Sequence, residues 1–363
     1  MSEANLPVAS ARPNLRLDGQ EAASISAALM EMQVEERSDG MARCELAFGN
    51  WGSRDGAHAY TLFDRGLVEF GKRLEIRHGG ELLFAGLIMA LEGHFPEGGV
   101  GEAELLVRAE DRLQALRMAR RTRCFTQASD ADVASRIAGE HGLSAQTQLQ
   151  GPTHAILAQV NQSDLAFLRD RARALGGEIW LEGDTLHLAT RPSRAGGQSI
   201  ELSYGTNLRS FDVRADLALQ RTALTVSGWD KDQKQAIKEQ ATASVLDQEI
   251  GSIEGTKGES GAAVLQRAFG ARPDTVAHLN PANADEARTA SEAWLRQLGR
   301  RFVCGRGIAD PDSRLRPGAR VTLKGLGKLF NGDYTVTEVC HRFDTRQGIR
   351  SEFAAERPWI GRA

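Results

Sequence analysis

Short runs in which apolar and polar residues alternate, broken by glycine-bearing turns, set the strongest limit on this chain. They demand strands with one buried face, joined as hairpins. The clearest instance is Leu74-Glu-Ile-Arg-His78, then Gly79-Gly80, then Glu81-Leu-Leu-Phe-Ala-Gly86. Paired glycines adopt the positive φ angles that a two-residue hairpin loop requires. Earlier, Met30, Met32 and Val34 alternate with polar residues up to the turn Ser38-Asp-Gly40, and Cys44, Leu46 and Phe48 resume the alternation. A further strand is expected at Leu105, Val107 and Ala109. The 38 glycines and 6% aromatic residues fit many short strands better than a large helical core.

The period changes in the middle of the chain. Ser129-Asp-Ala-Asp132 offers a capping hydroxyl and early acidic residues. Val133 and Ile137 then share one helical face, and His141-Gly-Leu143 closes the helix. A second helix is predicted from Ser163-Asp164, with Leu165, Leu168, Ala172 and Leu175 as its apolar stripe and Gly176-Gly177 as its end. Residues 179–188 read as a hairpin around Gly183-Asp184. A two-residue turn there sets Leu181 opposite Leu186, Ile179 opposite Leu188, and Trp180 opposite His187. Arg191-Pro-Ser-Arg-Ala-Gly-Gly197 reads as a linker.

The last third returns to strands. Leu224 and Val226 precede Gly228-Trp229. The stretch from Lys231 to Gly261 is rich in Lys, Gln, Glu, Ala, Thr and Gly, and is expected to be a mobile arm or a frayed helix. A helix is predicted from about Asp285 to Arg300, with Ala287, Trp294, Leu295 and Leu298 inward. Val321 and Leu323, the turn Asn331-Gly332, and Tyr334 to Val339 form a hairpin, and Gly348 joins His341-Arg-Phe343 to Phe353 in another. The expected organisation is a β-rich region over 1–110, an α/β segment over 111–198 with two helices and a hairpin, and a second β-rich region over 199–363. That last region carries the polar arm (about 231–261) and the helix (about 285–300).

A chain of 363 residues with net charge −3 and pI near 6.3 is no basic nucleic-acid binder. The run Arg117, Arg120, Arg121 and Arg123 reads as a solvated helix end. Cys44, Cys124, Cys304 and Cys340 lie far apart, so buried free thiols in a reducing cytoplasm are expected rather than a disulfide framework or zinc site. The N-terminus lacks the basic start and apolar core of a signal peptide, and no run of 18 apolar residues exists.

Motifs of catalysis are missing. Gly251-Ser-Ile-Glu-Gly-Thr-Lys257 has the wrong spacing for a phosphate loop. Gly305-Arg-Gly307-Ile-Ala-Asp310 lacks the third glycine of a dinucleotide fingerprint, and Gly258-Glu-Ser-Gly261 misses the nucleophile elbow by one position. His187 is read as a packed or interface residue and His341 as a hydrogen-bonded strand histidine. No catalytic, cofactor-binding or metal-ligating residue and no cofactor is assigned.

Several segments, in order, resemble the late control protein D family of contractile-tail hubs and the N-terminal end of VgrG proteins of type VI secretion. They are Phe84-Ala-Gly-Leu-Ile88, Asp111-Arg-Leu-Gln-Ala-Leu116, Phe125, Ser129 to Val133, and Gln159-Val-Asn-Gln-Ser-Asp-Leu-Ala-Phe-Leu168. Glu178-Ile-Trp180, Leu315-Arg-Pro-Gly-Ala-Arg-Val321, Gly325-Leu-Gly327, Phe330-Asn-Gly-Asp-Tyr-Thr-Val336 and His341-Arg-Phe343 complete the set, covering about residues 75 to 357.

The resemblance implies an α+β, β-rich fold: two related barrel-like tube domains with a small α/β domain between them, three chains closing a pseudo-hexameric ring. It implies a baseplate hub, not an enzyme, that adapts a six-fold tail tube to a three-fold spike. The implied partners are two further copies, the tail tube protein, a spike, other baseplate (wedge) proteins, and tape-measure protein or cargo in the lumen. Neither nucleic-acid specificity nor a membrane segment is implied. The chain would be made in the bacterial cytoplasm and built into a phage tail or injection particle. Because the sequence stops at Trp359-Ile-Gly-Arg-Ala363, where VgrG proteins continue into a needle, the spike is expected to be a separate protein. Two other readings stay open: a tail-associated peptidoglycan hydrolase, and a VgrG-type secretion component without a fused spike.

Overall fold

The computed structural model describes residues 12–362, apart from 55, 98, 100, 101, 150, 195–198 and 232. The protein is β-rich with few helices. Its main feature is a 13-stranded sheet. The first third contributes β1 (Asn14–Leu17), β2 (Leu29–Arg37), β3 (Arg43–Gly49), β4 (Arg73–His78), β5 (Glu81–His94) and β6 (Glu104–Glu110). The last third contributes β7 (Leu208–Ala215), β8 (Val303–Ala309), β9 (Arg320–Lys324), β10 (Gly332–Asp344) and β11 (Gly348–Arg357). The hydrogen-bonded path runs β7-β8-β11-β10-β2-β3-β6-β5-β4-β1 and ends on the two-residue strand Gln20–Glu21, while β9 pairs with β10 and with Ile200–Ser203 to complete the thirteen.

Alternation forms these strands where it was expected. In the β2–β3 hairpin, Met32 pairs with Leu46 and Val34 with Cys44, and all four side chains are buried. Met30 departs from the pattern: an irregularity between Leu29 and Glu31 puts Leu29 inward and leaves Met30 exposed. Gly79 and Gly80 take φ of 58° and 87° between the paired His78 and Glu81, as a two-residue turn requires.

The two β-rich thirds meet at β2–β10. Val34 pairs with His341 and Met32 with Phe343, antiparallel. Phe343 and Ile349 therefore sit in the same buried cluster as Leu46, Phe48 and Val107. Arg316 crosses this seam, donating to the Leu82 and Leu83 carbonyls at 2.9 and 3.2 Å and pairing with Glu36 at 2.9 Å.

The middle third packs α1 (Asp130–Glu140) and α2 (Asp164–Ala174) on a two-stranded ribbon, Arg120–Ala128 with His154–Ser163, and on a three-stranded sheet. Ser129 and Asp132 form a reciprocal capping box, and Ser163 Oγ accepts from the Ala166 N–H. Val133, Ile137, Leu165, Leu168 and Ala172 fill the core between them. The 179–188 hairpin has the expected register. The basic run is not a solvated helix end: Arg117 ends a single turn, but Arg120, Arg121 and Arg123 lie on the ribbon, where Arg121 and Arg123 both pair with the buried Asp164 carboxylate.

The expected linker at Arg191 is a pinned helical turn, Arg191–Arg194, whose last expected residues, 195–197, lie outside the described residues. Arg191 donates to Glu178 at 3.0 Å and to Glu356 at 2.6 Å, tying the middle segment to β11. Arg194 donates to Glu178 at 2.9 Å and lies over the Trp180 ring, 4.6 Å from its centroid. Desolvation offsets much of the attraction in such buried pairs, while removing one partner would strand a buried charge.

The polar segment from Lys231 is likewise no loose arm. Gln235–Thr242 pairs along its length with Ala223–Asp230, and Ala243–Glu249 forms a 3₁₀ turn. Ile237 and Ala241 join Leu224, Val226, Ala287 and Leu295 in a core under α4 (Ala284–Arg300). Leu246 seats against Gly299, where a Cβ would come within 2.1 Å of Leu246 Cδ1, and Arg300 clasps Glu249 through two bonds of 2.8 and 2.7 Å. The apolar surface that orders this segment comes from its neighbours. A further helix, α3 (Gly261–Phe269), precedes α4 in the chain.

Two glycine motifs resolve into packing. Gly305 and Gly307 lie on β8, and a Cβ at either would fall within 2.3 and 2.8 Å of the Phe211 ring. Asn331-Gly332 is not a two-residue turn. Leu323 pairs with Gly332, so residues 324–331, including the turn Gly327–Phe330, make the connection from β9 to β10. Gly332 is still required: its φ is 111° and Trp359 Cη2 lies 2.9 Å from where a Cβ would stand.

Candidate reactive groups and assembly surfaces

His341 is the most suggestive single residue. It lies on β10 at the seam, 1% exposed, with Nδ1 2.9 Å from Ser351 Oγ on β11. Its Nε2 is buried without a partner. Burial, with the nearby Arg316 guanidinium, pushes its pKa down to about 4, so the ring is neutral at pH 7. A Ser–His pair suggests nucleophile chemistry, but Ser351 is 0% exposed and no substrate can reach it. The pair is a core contact, as the strand reading of His341 expected.

The other singled-out residues are also absorbed by structure. His187 stacks on Trp180, ring centroids 5.0 Å apart. Ser260 Oγ accepts the Ala263 N–H at 3.2 Å and caps α3, so it is a helix cap rather than an elbow. Gly251 packs against the Trp359 ring, and Glu254-Gly255 makes a left-handed turn between two short strands, with no phosphate cradle. Cys44 is buried as expected, whereas Cys124 is exposed on the ribbon and Cys304 and Cys340 are half-buried.

Three polar clusters escaped sequence reasoning. Asp164, at the first turn of α2, accepts from Arg123 at 2.7 Å and Gln159 at 2.9 Å, with His141 Nε2 at 2.9 Å and Arg121 at 3.3 Å. Burial opposes its ionisation, but the bonds from His141 and Gln159 and the two guanidinium groups outweigh that and hold its pKa below the ordinary value. The bond from Gln159 gives the run from Gln159 to Leu168 a structural reason to hold both residues. In the second cluster Asp130 accepts from Arg171 Nη2 at 2.9 Å, and His154 reaches Glu286 of α4 at 3.1 Å, joining middle and last thirds. In the third, Asp111 accepts the Ala42 and Leu113 N–H groups at 2.7 and 2.9 Å, while burial raises its pKa to about 7. Each is enclosed by structure. Partners 41 or 69 residues apart leave no local signal in a sequence. Among the described residues no group of three or more His, Cys, Asp or Glu is placed to hold a metal ion.

The surface is more telling than the interior. The ribbon presents Ile156 and Val160 outward, with Ala158 and Cys124 also exposed. Around the 51–60 hairpin, Trp51, Tyr60, Phe63 and Phe95 form one aromatic cluster with centroid spacings of 5.1 to 6.2 Å. A third patch surrounds α3, where Phe269 is exposed beside Leu217 and Leu265. No helix is long and apolar enough to cross a membrane among the described residues.

A family model described as the Alg8 N-terminal domain matches residues 10–345. It bears a different name from the late control protein D family suggested by the motifs, and that resemblance holds at the coarser level of tail proteins. No curated protein matches the chain by sequence. Among solved structures, a 43 kDa tail protein of prophage MuSo2 from Shewanella oneidensis is similar at TM-score 0.69 and 11% identity, over 96% of this chain and 98% of that one. A tail protein from Neisseria meningitidis MC58 follows at 0.65 and 13%, over 96% and 97%. The E. coli c3393 protein, a component of the type VI secretion system, reaches 0.58 and 12%, over 96% and 79%. The fold is therefore that of phage tail proteins.

Proposed function

The chain belongs to the family described as the Alg8 N-terminal domain and folds as phage tail proteins do, and from that premise we propose that it is a structural, non-enzymatic baseplate hub. Three copies would close a ring between a six-fold tail tube and a three-fold spike. The regions 1–110 and 199–363 would be the two tube domains and 111–198 the small α/β domain. The observation that carries this reading is the β2–β10 seam. It joins two β-rich thirds of one chain into a single sheet, which fits three chains that each present two tube-like units. The buried Ser351–His341 pair and the capping role of Ser260 favour scaffold over catalyst.

Deletion of the gene in its own host tests the reading. Complete tails should be lost and restored by the wild-type chain, and restored equally by His187→Ala and Ser260→Ala. Loss of turbidity in purified peptidoglycan treated with the chain would instead favour the hydrolase reading. The likeness to the type VI component keeps a secretion particle as the second setting for the same hub.

A further inference from the structure

Two grooves flank α3. One, of about 550 Å3, is lined by Leu217, Leu265 and Phe269 together with Arg221, Arg272 and Asp274. The other, of about 440 Å3, shares Leu217 and runs to Ile360 and Arg362. Phe269 is 60% exposed beside them. The carboxylates here are already matched: Asp274 accepts from Arg221 at 3.1 Å, and Glu259 pairs with Arg267. Arg272 donates its side chain to the Ala271 carbonyl at 3.0 Å, and among the described residues neither Arg272 nor Arg362 has a carboxylate partner. The grooves thus offer an apolar floor with two unmatched cations.

The same chain carries a surface of the opposite sign. Phe95, 63% exposed, packs on Tyr60 and Phe63 where β5 ends. Residues 91–104 hold four glutamates and no lysine or arginine. Glu92 pairs with Arg108 at 3.2 Å, whereas Glu97, Glu102 and Glu104 have no cationic partner among the described residues. The asymmetry extends further: residues 1–110 carry 18 Asp and Glu against 10 Lys and Arg, and the remainder carries 30 against 35.

An apolar knob on an acidic stretch of chain and a pair of apolar grooves, each holding an unmatched guanidinium group, are complementary but different patches. Placed on one chain, they let each copy offer one patch to a neighbour and receive the other, as the head-to-tail contacts of a closed ring require. We propose that the Phe95 knob, with Glu97 and Glu102, seats in the groove beside α3 of the next copy. The contact rests on the ring reading above and gives it its joining surfaces. Phe95 and Phe269 would be its apolar anchors, of the kind that dominate such interfaces.

The test is charge reversal read by sedimentation velocity on the full-length chain, with circular dichroism to confirm folding. All four positions are at the surface or line the groove, so the fold should survive. Glu97→Lys with Glu102→Lys, and separately Arg272→Glu with Arg362→Glu, should each weaken self-association at least about tenfold. All four changes together should restore it, since every contact then regains opposite charges. Phe95→Ser should weaken association without any charge change. Self-association that ignores both reversals would overturn this contact yet leave a ring joined elsewhere. Reversals that add instead of rescuing would also overturn it. If only the arginine reversal matters, in particle assembly and not in self-association, the groove receives an acidic segment of another protein and the copy-to-copy contact is refuted. A wild-type chain that stays monomeric at high concentration refutes it too, while the gene deletion still judges the hub reading.

Discussion

Acid should loosen the seam through His341, and the size of the effect follows from its burial. The ring titrates near pH 6.5 when unfolded and at about 4 when folded. The folded state therefore binds fewer protons between those values, so the stability His341 allows is complete above about pH 6.5. It is lost as pH falls toward 4. The full loss is about 3 kcal/mol, of which about 2 kcal/mol has gone by pH 5. Asp111, held near 7 by burial, works in the opposite sense, since its folded form takes up protons that the unfolded chain does not. Total stability against pH mixes the two, so the comparison must be with a variant. His341→Asn keeps a polar atom near Ser351 and removes the titration. It should cost about 1–3 kcal/mol at pH 8 from lost volume and bonding. Between pH 8 and pH 5, wild type should then lose about 2 kcal/mol more than the variant in urea unfolding. Parallel pH profiles for the two would refute the reasoning.

Gly332→Val should destabilise the chain by about 2–4 kcal/mol, combining a strained positive φ with the encroachment on Trp359, and thermal unfolding would register it. Asp164→Asn should cost about 2–3 kcal/mol at pH 7 in urea unfolding, since it leaves Arg123 and Arg121 short of their carboxylate. Because the Asp164 pKa is held down, that difference should shrink as pH falls below the ordinary carboxylate range. Amides of Gln235–Thr242 that bond to the 223–230 strand should exchange slowly in the isolated chain, and fast exchange throughout would restore the mobile-arm expectation.

Much of the fold was legible because its signals are local. The Gly79-Gly80 turn, the Ser129 and Ser163 caps and the 179–188 register each follow from a few neighbouring residues, and the structure has them. What the sequence concealed depends on partners far along the chain. Residues 235–242 look like solvated coil because their buried positions are only Ile237 and Ala241, and the rest of their core arrives with α4. Arg191 and Arg194 look like linker charges until Glu178 and Glu356 are brought beside them. Gly305 and Gly307 mimic a nucleotide motif because close approach of an aromatic ring and close approach of a phosphate select the same residue. The candidate surfaces were the least legible. Phe95, Ile156 and Phe269 are ordinary apolar residues in the sequence, and only the fold leaves them outside.

The central claim is the hub ring, and a cryo-EM map of the purified, assembled particle tests it most directly. The account predicts three copies of this chain around the axis, each offering its two β-rich thirds, with a six-fold tube on one side and a three-fold spike on the other. A particle that lacks this chain, or that holds it as a single copy, a two-fold pair or a six-copy ring, would contradict it.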